Sequence, residues 1–172
     1  NDLLDLAKIE AGRAELELEP VALNAVVREC VGLMQPEAGS ERVIIRTSLA
    51  GTLPTILADR RSIKQIVLNI LSNAVKFNVE GGQVILSTSC DETGAVVFRC
   101  RYTGIGMSPD EVAVAMEPFR RLGGARRGGT GLGLPLTKAL AEANGAGFAL
   151  QSEPRRGTLV EIRFSTADAA AA

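Results

Sequence analysis

Asn69, Asn73 and Lys76 fall on one face of a strongly periodic stretch, with Gln65 beside them, all within about 40° of Asn69 by the 3.6-residue period. Carboxamides are poor helix formers, and Glu or Lys would serve solubility better on an exposed face. Amide oxygens are hard ligands suited to Mg²⁺, which takes few protein ligands and fills its shell with phosphate and water. Lys76 would then meet a phosphate directly. A polar helix face is more often merely solvated, so this face decides nothing alone.

Two glycine runs stand further along. Thr103-Gly104-Ile105-Gly106-Met107 follows a predicted strand, where glycine lets the backbone turn tightly and approach a ligand closely. Gly128-Gly129-Thr130-Gly131-Leu132-Gly133-Leu134 runs into a helix with Pro135 in its first turn. Free backbone N–H groups at such a helix start suit an anion. No Lys follows these glycines, so this is not a Walker A loop, and no βαβ unit surrounds them, so it is not a dinucleotide fingerprint. Taken singly, each feature is more often structural than functional.

The elements that must position these groups follow from periodicity. Residues 3–9 form a short helical stripe stopped by Gly12, and 16–19 alternate as a strand ending at Pro20. Helices are predicted over 23–37, 60–77 and 132–144, with a shorter one after Pro109. Strands are predicted over 43–49, 55–58, 83–90, 95–102, 148–152 and 158–164, with a hairpin turn at 91–94. Residues 103–133 are rich in Gly and Arg and read as a functional loop or lid. The sum is an α+β fold in which a mixed, mostly antiparallel sheet packs on about three helices.

Composition narrows the chemistry. The 172 residues are 46% hydrophobic and 23% charged, enough apolar material for a buried core. A net charge of -1 argues against a binder held by phosphate-backbone electrostatics, and 3% aromatic residues with no Trp argue against a base-stacking platform, so no nucleic-acid partner is expected. The chain has no His, which excludes Ser-His-Asp and Cys-His nucleophiles, His-ligated metals and an imidazole base within it. Cys30, Cys90 and Cys100 form no CxxC pair and read as small buried apolar residues. No apolar run reaches membrane-span length. The chain opens at Asn1 inside a helical pattern, as a piece of something longer would, and the Ala-rich stretch 167–172 reads as a frayed tail.

In their order along the chain, the motifs resemble the boxes of sensor histidine kinases. Asn69-x-x-x-Asn73-Ala74-x-Lys76-Phe77 resembles the N box, Thr103-Gly104-Ile105-Gly106 the G1 box, Glu117-Pro118-Phe119 the F box, and Gly129-Thr130-Gly131-Leu132-Gly133 the G2 box. Residues 3–12 resemble the end of the dimerisation helix that precedes this domain. Leu134 to Leu140 and Glu142-Ala143-Asn144 resemble the alphaproteobacterial cell-cycle group typified by DivL, PleC and DivJ.

The resemblance implies a catalytic, ATP-binding domain with the Bergerat (GHKL) two-layer α/β sandwich, spanning 13–166 after the helix end at 1–12. It implies ATP and Mg²⁺ as cofactors, with Asn73 on the metal, Asn69 beside it and Lys76 facing the phosphates. Gly104 and Gly106 would shape the adenine pocket, Gly129, Gly131, Leu132 and Gly133 would cradle phosphates, and Phe119 would anchor the lid. Arg121 sits where a phosphate-contacting Arg is common, and Arg126 and Arg127 are weaker lid choices. Related ATPases carry Glu at the Asn69 position as general base for water, and a carboxamide cannot take that proton. The implied reaction is transfer of the γ-phosphate to an acceptor on the dimerisation helix, not hydrolysis. Implied partners are that helix and a response regulator, within a homodimeric parent whose domain faces the cytoplasm, with its membrane anchoring left open.

One position departs from the pattern. The G1 box opens with Asp in the family, whose carboxylate accepts from the adenine amine, and here that residue is Tyr102. Strand alternation places Tyr102 with Val96, Phe98 and Cys100, facing inward. Loss of a charged hydrogen bond lowers affinity roughly 10- to 150-fold. Two readings stand: the ring fills the base pocket and leaves a degenerate module that signals by protein contacts, or it stacks on, or swings away from, the base and weaker binding survives.

Overall fold

The computed structural model describes residues 2–117 and 133–166. Twelve elements follow in the order α1 (Asp2–Glu10), β1 (Leu18–Val21), α2 (Leu23–Ser40), β2 (Ile44–Ser48), β3 (Ile56–Asp59), α3 (Arg60–Lys76), β4 (Gln83–Cys90), β5 (Val96–Tyr102), α4 (Pro109–Ala115), α5 (Gly133–Ala143), β6 (Gly147–Glu153) and β7 (Gly157–Phe164). Five strands form one sheet in the order β2-β4-β5-β7-β6, parallel between β2 and β4 and antiparallel elsewhere. A separate antiparallel pair joins β1 to β3.

One face of the large sheet is apolar because alternate residues point to it. Val84 and Leu86 of β4, Val96, Phe98 and Cys100 of β5, and Val160, Ile162 and Phe164 of β7 are all buried there. Against it lies the apolar face of α3, carrying Ile63, Ile66, Val67, Ile70, Leu71 and Ala74. Helices α2 and α5 flank α3, which gives the helix-on-sheet sandwich expected from the sequence.

Asp59 fixes where α3 begins. As N-cap it accepts from the Ser62 backbone N–H at 3.0 Å and from the Ser62 hydroxyl at 2.6 Å. Its other oxygen accepts from Glu17 N at 3.2 Å, and its own N–H donates to Asn144 Oδ1 at 2.8 Å. One residue thus holds the starts of α3, the approach to β1 and the end of α5 together.

Several expectations shift. β1 includes Pro20 where a strand end was expected, because a two-stranded pair tolerates a residue without an N–H. Helix α2 continues through Pro36 to Ser40, with Ala38 buried. Cys90, expected to be buried, is exposed at the end of β4, whereas Cys30 and Cys100 are buried. Helix α1 packs along α5, with Leu6 buried and Ile9 half-buried, while Leu3 and Leu4 face solvent. Among the described residues no helix is long and apolar enough to cross a membrane.

Candidate functional site

The site is built where the C-terminal half of α3 meets the start of α5 and the end of β5. Asn69, Asn73 and Lys76 are half-buried on α3, turned from the apolar face that seats the helix. Gly133, the first residue of α5, comes against Asn73. A Cβ at position 133 would lie 3.6 Å from Asn73 Nδ2 and 3.7 Å from Asn73 Oδ1. The expected N box and the last glycine of the expected G2 box are therefore neighbours in space. Thr137 steadies this helix start by donating its hydroxyl to the Gly133 carbonyl at 2.7 Å.

Asn69 Nδ2 is buried and has no hydrogen-bond partner among the described residues. A buried polar atom left unsatisfied costs about 1–3 kcal/mol, so such atoms in folded proteins usually await a ligand or a water. A carboxamide turned end for end exchanges donor for acceptor, so the same place can offer an N–H to a phosphate or an oxygen to a hard cation. Together with the Asn73 amide, this neutral carboxamide set fits the chemistry of Mg²⁺ and phosphate. Lys76 lines a polar cleft of about 650 Å³ with Arg42, Asn78 and Glu80.

The turn after β5 is held by close backbone approaches. Gly104 has φ +149° and Gly106 has φ +62°. A Cβ on Gly104 would overlap the Phe77 carbonyl oxygen, and one on Gly106 would overlap that of Glu153. Arg155 N donates to the Ile105 carbonyl at 2.7 Å. This turn is thus pressed between the end of α3 and the β6–β7 hairpin, which accounts for its glycines on structural grounds alone.

Tyr102 ends β5 on the buried face, in register with Val84 and Thr158, as alternation predicts. It is 6% exposed and belongs to the core cluster. Burial pushes its phenol up to about 12, opposed by a hydrogen bond with Thr158. Thr158 Oγ1 lies 2.8 Å from Ser152 Oγ, which accepts from Met107 N at 2.8 Å and lies 3.0 Å from the Gly157 carbonyl.

Asn78 is the residue that sequence reasoning missed. Buried just past α3, it accepts from Val79 N and from the Thr103 hydroxyl, both at 2.8 Å, and donates to the Gln83 carbonyl at 3.1 Å. The only signal in the sequence was an Asn next to the end of a helix, which also suits an ordinary cap. Phe119, Arg121, Arg126, Arg127, Gly129, Gly131 and Leu132 lie outside the described residues, as does the stretch 167–172.

Residues 58–168 match the family model for histidine kinase-, DNA gyrase B- and HSP90-like ATPases. The chain belongs to this ATPase family. The cell-division control histidine kinase PdhS of Brucella canis is 55% identical over 175 residues, covering 95% of this chain, and PdhS of Brucella anthropi is 54% identical over the same share. The chain spans 17% of the length of these relatives. The family match and the relatives' names agree with the sensor histidine kinase resemblance and its cell-cycle group.

Among solved structures, full-length ShkA in complex with AMPPNP superposes with a TM-score of 0.84 at 35% identity, over 97% of this chain and 35% of that one. The Acinetobacter baumannii histidine kinase AdeS, at 20% identity and a TM-score of 0.79 over 96% of this chain and 76% of its own, shares the fold. As a member of this ATPase family, the chain is an ATP-binding catalytic domain of the histidine kinase type, and the Bergerat sandwich expected from its boxes is the fold observed.

Proposed function

We propose that this domain holds Mg-ATP against α3 and α5 and presents the γ-phosphate to an acceptor residue on a dimerisation helix. The observation that supports the proposal is the meeting of Asn73 with Gly133, which brings the carboxamide face of α3 beside the first residue of α5. In this reading Asn73 holds Mg²⁺, Asn69 lies beside it, and Lys76 and Arg121 meet phosphate oxygens. Gly104 and Gly106 shape the base pocket, Gly129, Gly131, Leu132 and Gly133 cradle phosphates, and Phe119 anchors the lid. Bound Mg²⁺ would supply neutralisation of phosphate charge. The chain's own residues position the nucleotide and, lacking a carboxylate at Asn69, leave water without a general base.

Residues 1–12 are read as the end of the dimerisation helix and 13–166 as the catalytic domain, and 167–172 are left outside it. The parent protein is read as a homodimer with this domain in the cytoplasm and a response regulator as its downstream partner. A second reading has a specific observation behind it: Tyr102 is part of the core, which favours a degenerate module signalling by protein contacts. Calorimetric titration with Mg-ATP separates the two. The kinase reading expects Mg²⁺-dependent binding that Asn73→Ala abolishes without lowering the melting midpoint. Binding that is indifferent to Asn73→Ala would overturn it.

A further inference from the structure

Strand β2 forms one edge of the large sheet, and it is unusually bare. Ile44, Arg46, Thr47 and Ser48 are exposed, and only Ile45 is half-buried against the core. Among the described residues β2 pairs with β4 on one side and with no strand on the other. We propose that this edge takes up an extended segment of a partner protein, one that carries a carboxylate between two apolar side chains on its outer face. None of these residues takes part in the nucleotide site proposed above, so either reading can fail alone.

The backbone supplies the first half of the site. Ile44 N donates to the Gly82 carbonyl at 3.0 Å, so Ile44, Arg46 and Ser48 turn their backbone groups toward β4. Alternation turns those of Ile45 and Thr47 outward, to the open edge. The edge is closed at its start, where Val43 N donates to the Ala38 carbonyl at 2.9 Å. Past Ser48 the chain leaves the strand, and the Ala50 carbonyl accepts from Asn24 Nδ2 at 2.8 Å. What remains is the N–H and C=O of Ile45 and of Thr47, a short ladder for one added strand.

The side chains supply the second half. A charge on an edge strand commonly guards it against pairing, and Arg46 alone would be such a guard. Its neighbours are not those of a guarded edge. Ile44 is 50% exposed, and Ile85, in register with Arg46 on β4, is 37% exposed. Beyond Ile85 stands Arg101 on β5, about 10 Å from Arg46 by two strand spacings. Neither Arg46 nor Arg101 has an ion-pair partner among the described residues. On the same face Arg99 pairs with Glu161 at 2.8 Å and Arg163 pairs with Asp91. Uncompensated positive charge therefore lies beside bare apolar surface.

A strand laid along β2 brings successive outer side chains opposite Ile44, Arg46 and Ser48. A carboxylate in the middle meets Arg46, and an apolar side chain beside it covers Ile44. A second copy of β2 does not meet this need, because Ile44-Ile45-Arg46-Thr47-Ser48 has no carboxylate.

The probe is a capped synthetic peptide, Thr-Val-Thr-Glu-Thr-Val-Thr, whose Val and Glu side chains share one face in either strand direction. Two twins carry Gln or Lys in place of Glu. Titration into the 172-residue chain, followed by amide NMR, is expected to shift Ile44 to Ser48 and Ile85 and to slow exchange at the Ile45 and Thr47 N–H groups. The Gln twin is expected to bind roughly threefold more weakly, as loss of an exposed ion pair requires. Arg46→Glu is expected to weaken the Glu peptide by about fivefold or more and to favour the Lys twin over it. Absence of binding overturns the proposal, as do shifts centred on β6 or equal affinity for all three peptides. Slow exchange at Ile45 and Thr47 in the free chain that fades on dilution would give the edge to a second copy, which also overturns it. Should Arg46→Glu not fold, the order of the three peptides on the parent decides.

Discussion

Thr103 donates its hydroxyl hydrogen to Asn78 Oδ1 at 2.8 Å, and that bond ties the C-terminal end of α3 to the turn after β5. The two residues are far apart in sequence, and each also bonds to Gln83 at the start of β4: Asn78 Nδ2 and the Thr103 N–H both reach its carbonyl, and its N–H reaches Thr103 Oγ1. The face bearing Asn73 and the turn bearing Gly104 and Gly106 are thereby kept in fixed relation.

Asn78→Ala removes the acceptor for Val79 N and Thr103 and the donor to Gln83 in a buried setting. The expected loss is about 1–3 kcal/mol. For a domain of this size that lowers the melting midpoint by roughly 2–4 °C per kcal/mol. A melting curve that overlays the parent's would show that the clamp is dispensable.

Gly106→Ala and Gly94→Ala separate two effects. Both glycines have positive φ, +62° and +86°, but a Cβ at 94 meets nothing within 4 Å while one at 106 overlaps the Glu153 carbonyl. Backbone conformation alone costs roughly 1–2 kcal/mol in Gly94→Ala. Gly106→Ala adds displacement of the hairpin and is expected to lose about 1–3 kcal/mol more. Equal losses by denaturant titration would mean the close approach is relieved without strain.

Gly133→Ala is expected to dissociate folding from binding. Its methyl would make ordinary contact with the Asn73 carboxamide, so thermal stability should be unchanged or slightly higher. Mg-ATP affinity should fall, because that methyl occupies the space between Asn73 and its ligand. Unchanged affinity by calorimetry would place the ligand elsewhere.

Tyr102 predicts an alkaline limb. The phenol ionises near 10 when unfolded and near 12 when folded, so stability is unaffected below pH 10 and declines as pH climbs from 10 to 12. The slope is about 1.4 kcal/mol per pH unit. The chain has one Tyr and no Trp, so phenolate absorbance reports this group directly. A folded-state midpoint near 10 would refute the burial. Tyr102→Phe should remove this part of the slope while the buried thiols Cys30 and Cys100, also pushed up by burial, titrate in both proteins.

How much could be read in advance varied with how local the signal was. β4 was expected at its observed bounds, because apolar alternation from Val84 is framed by Gly81-Gly82 and Asp91. The inward face of Tyr102 was legible for the same reason. The parallel pairing of β2 with β4 was not, since strand order is settled by packing across the sheet and not by the pattern within either strand. Asn78 was illegible because its partner Thr103 comes from a distant strand end. Asn69 and Asn73 could be singled out from the helix pattern, but their joining to the glycine run rested on the family resemblance, and the approach of Gly133 to Asn73 is the contact that no local pattern could show.

Helix α5 has its first residue against Asn73 and its flank against α1, where Leu6 and Ile9 face Pro135, Ala139 and Ala143 across a shared groove. Its 11 residues span about 16 Å as one rigid rod. α1 and the wall beside Asn73 thus sit on one helix with no loop between them. If a ligand at Asn73 favours one position of that helix over another, linkage requires α1 to be biased by the same free energy.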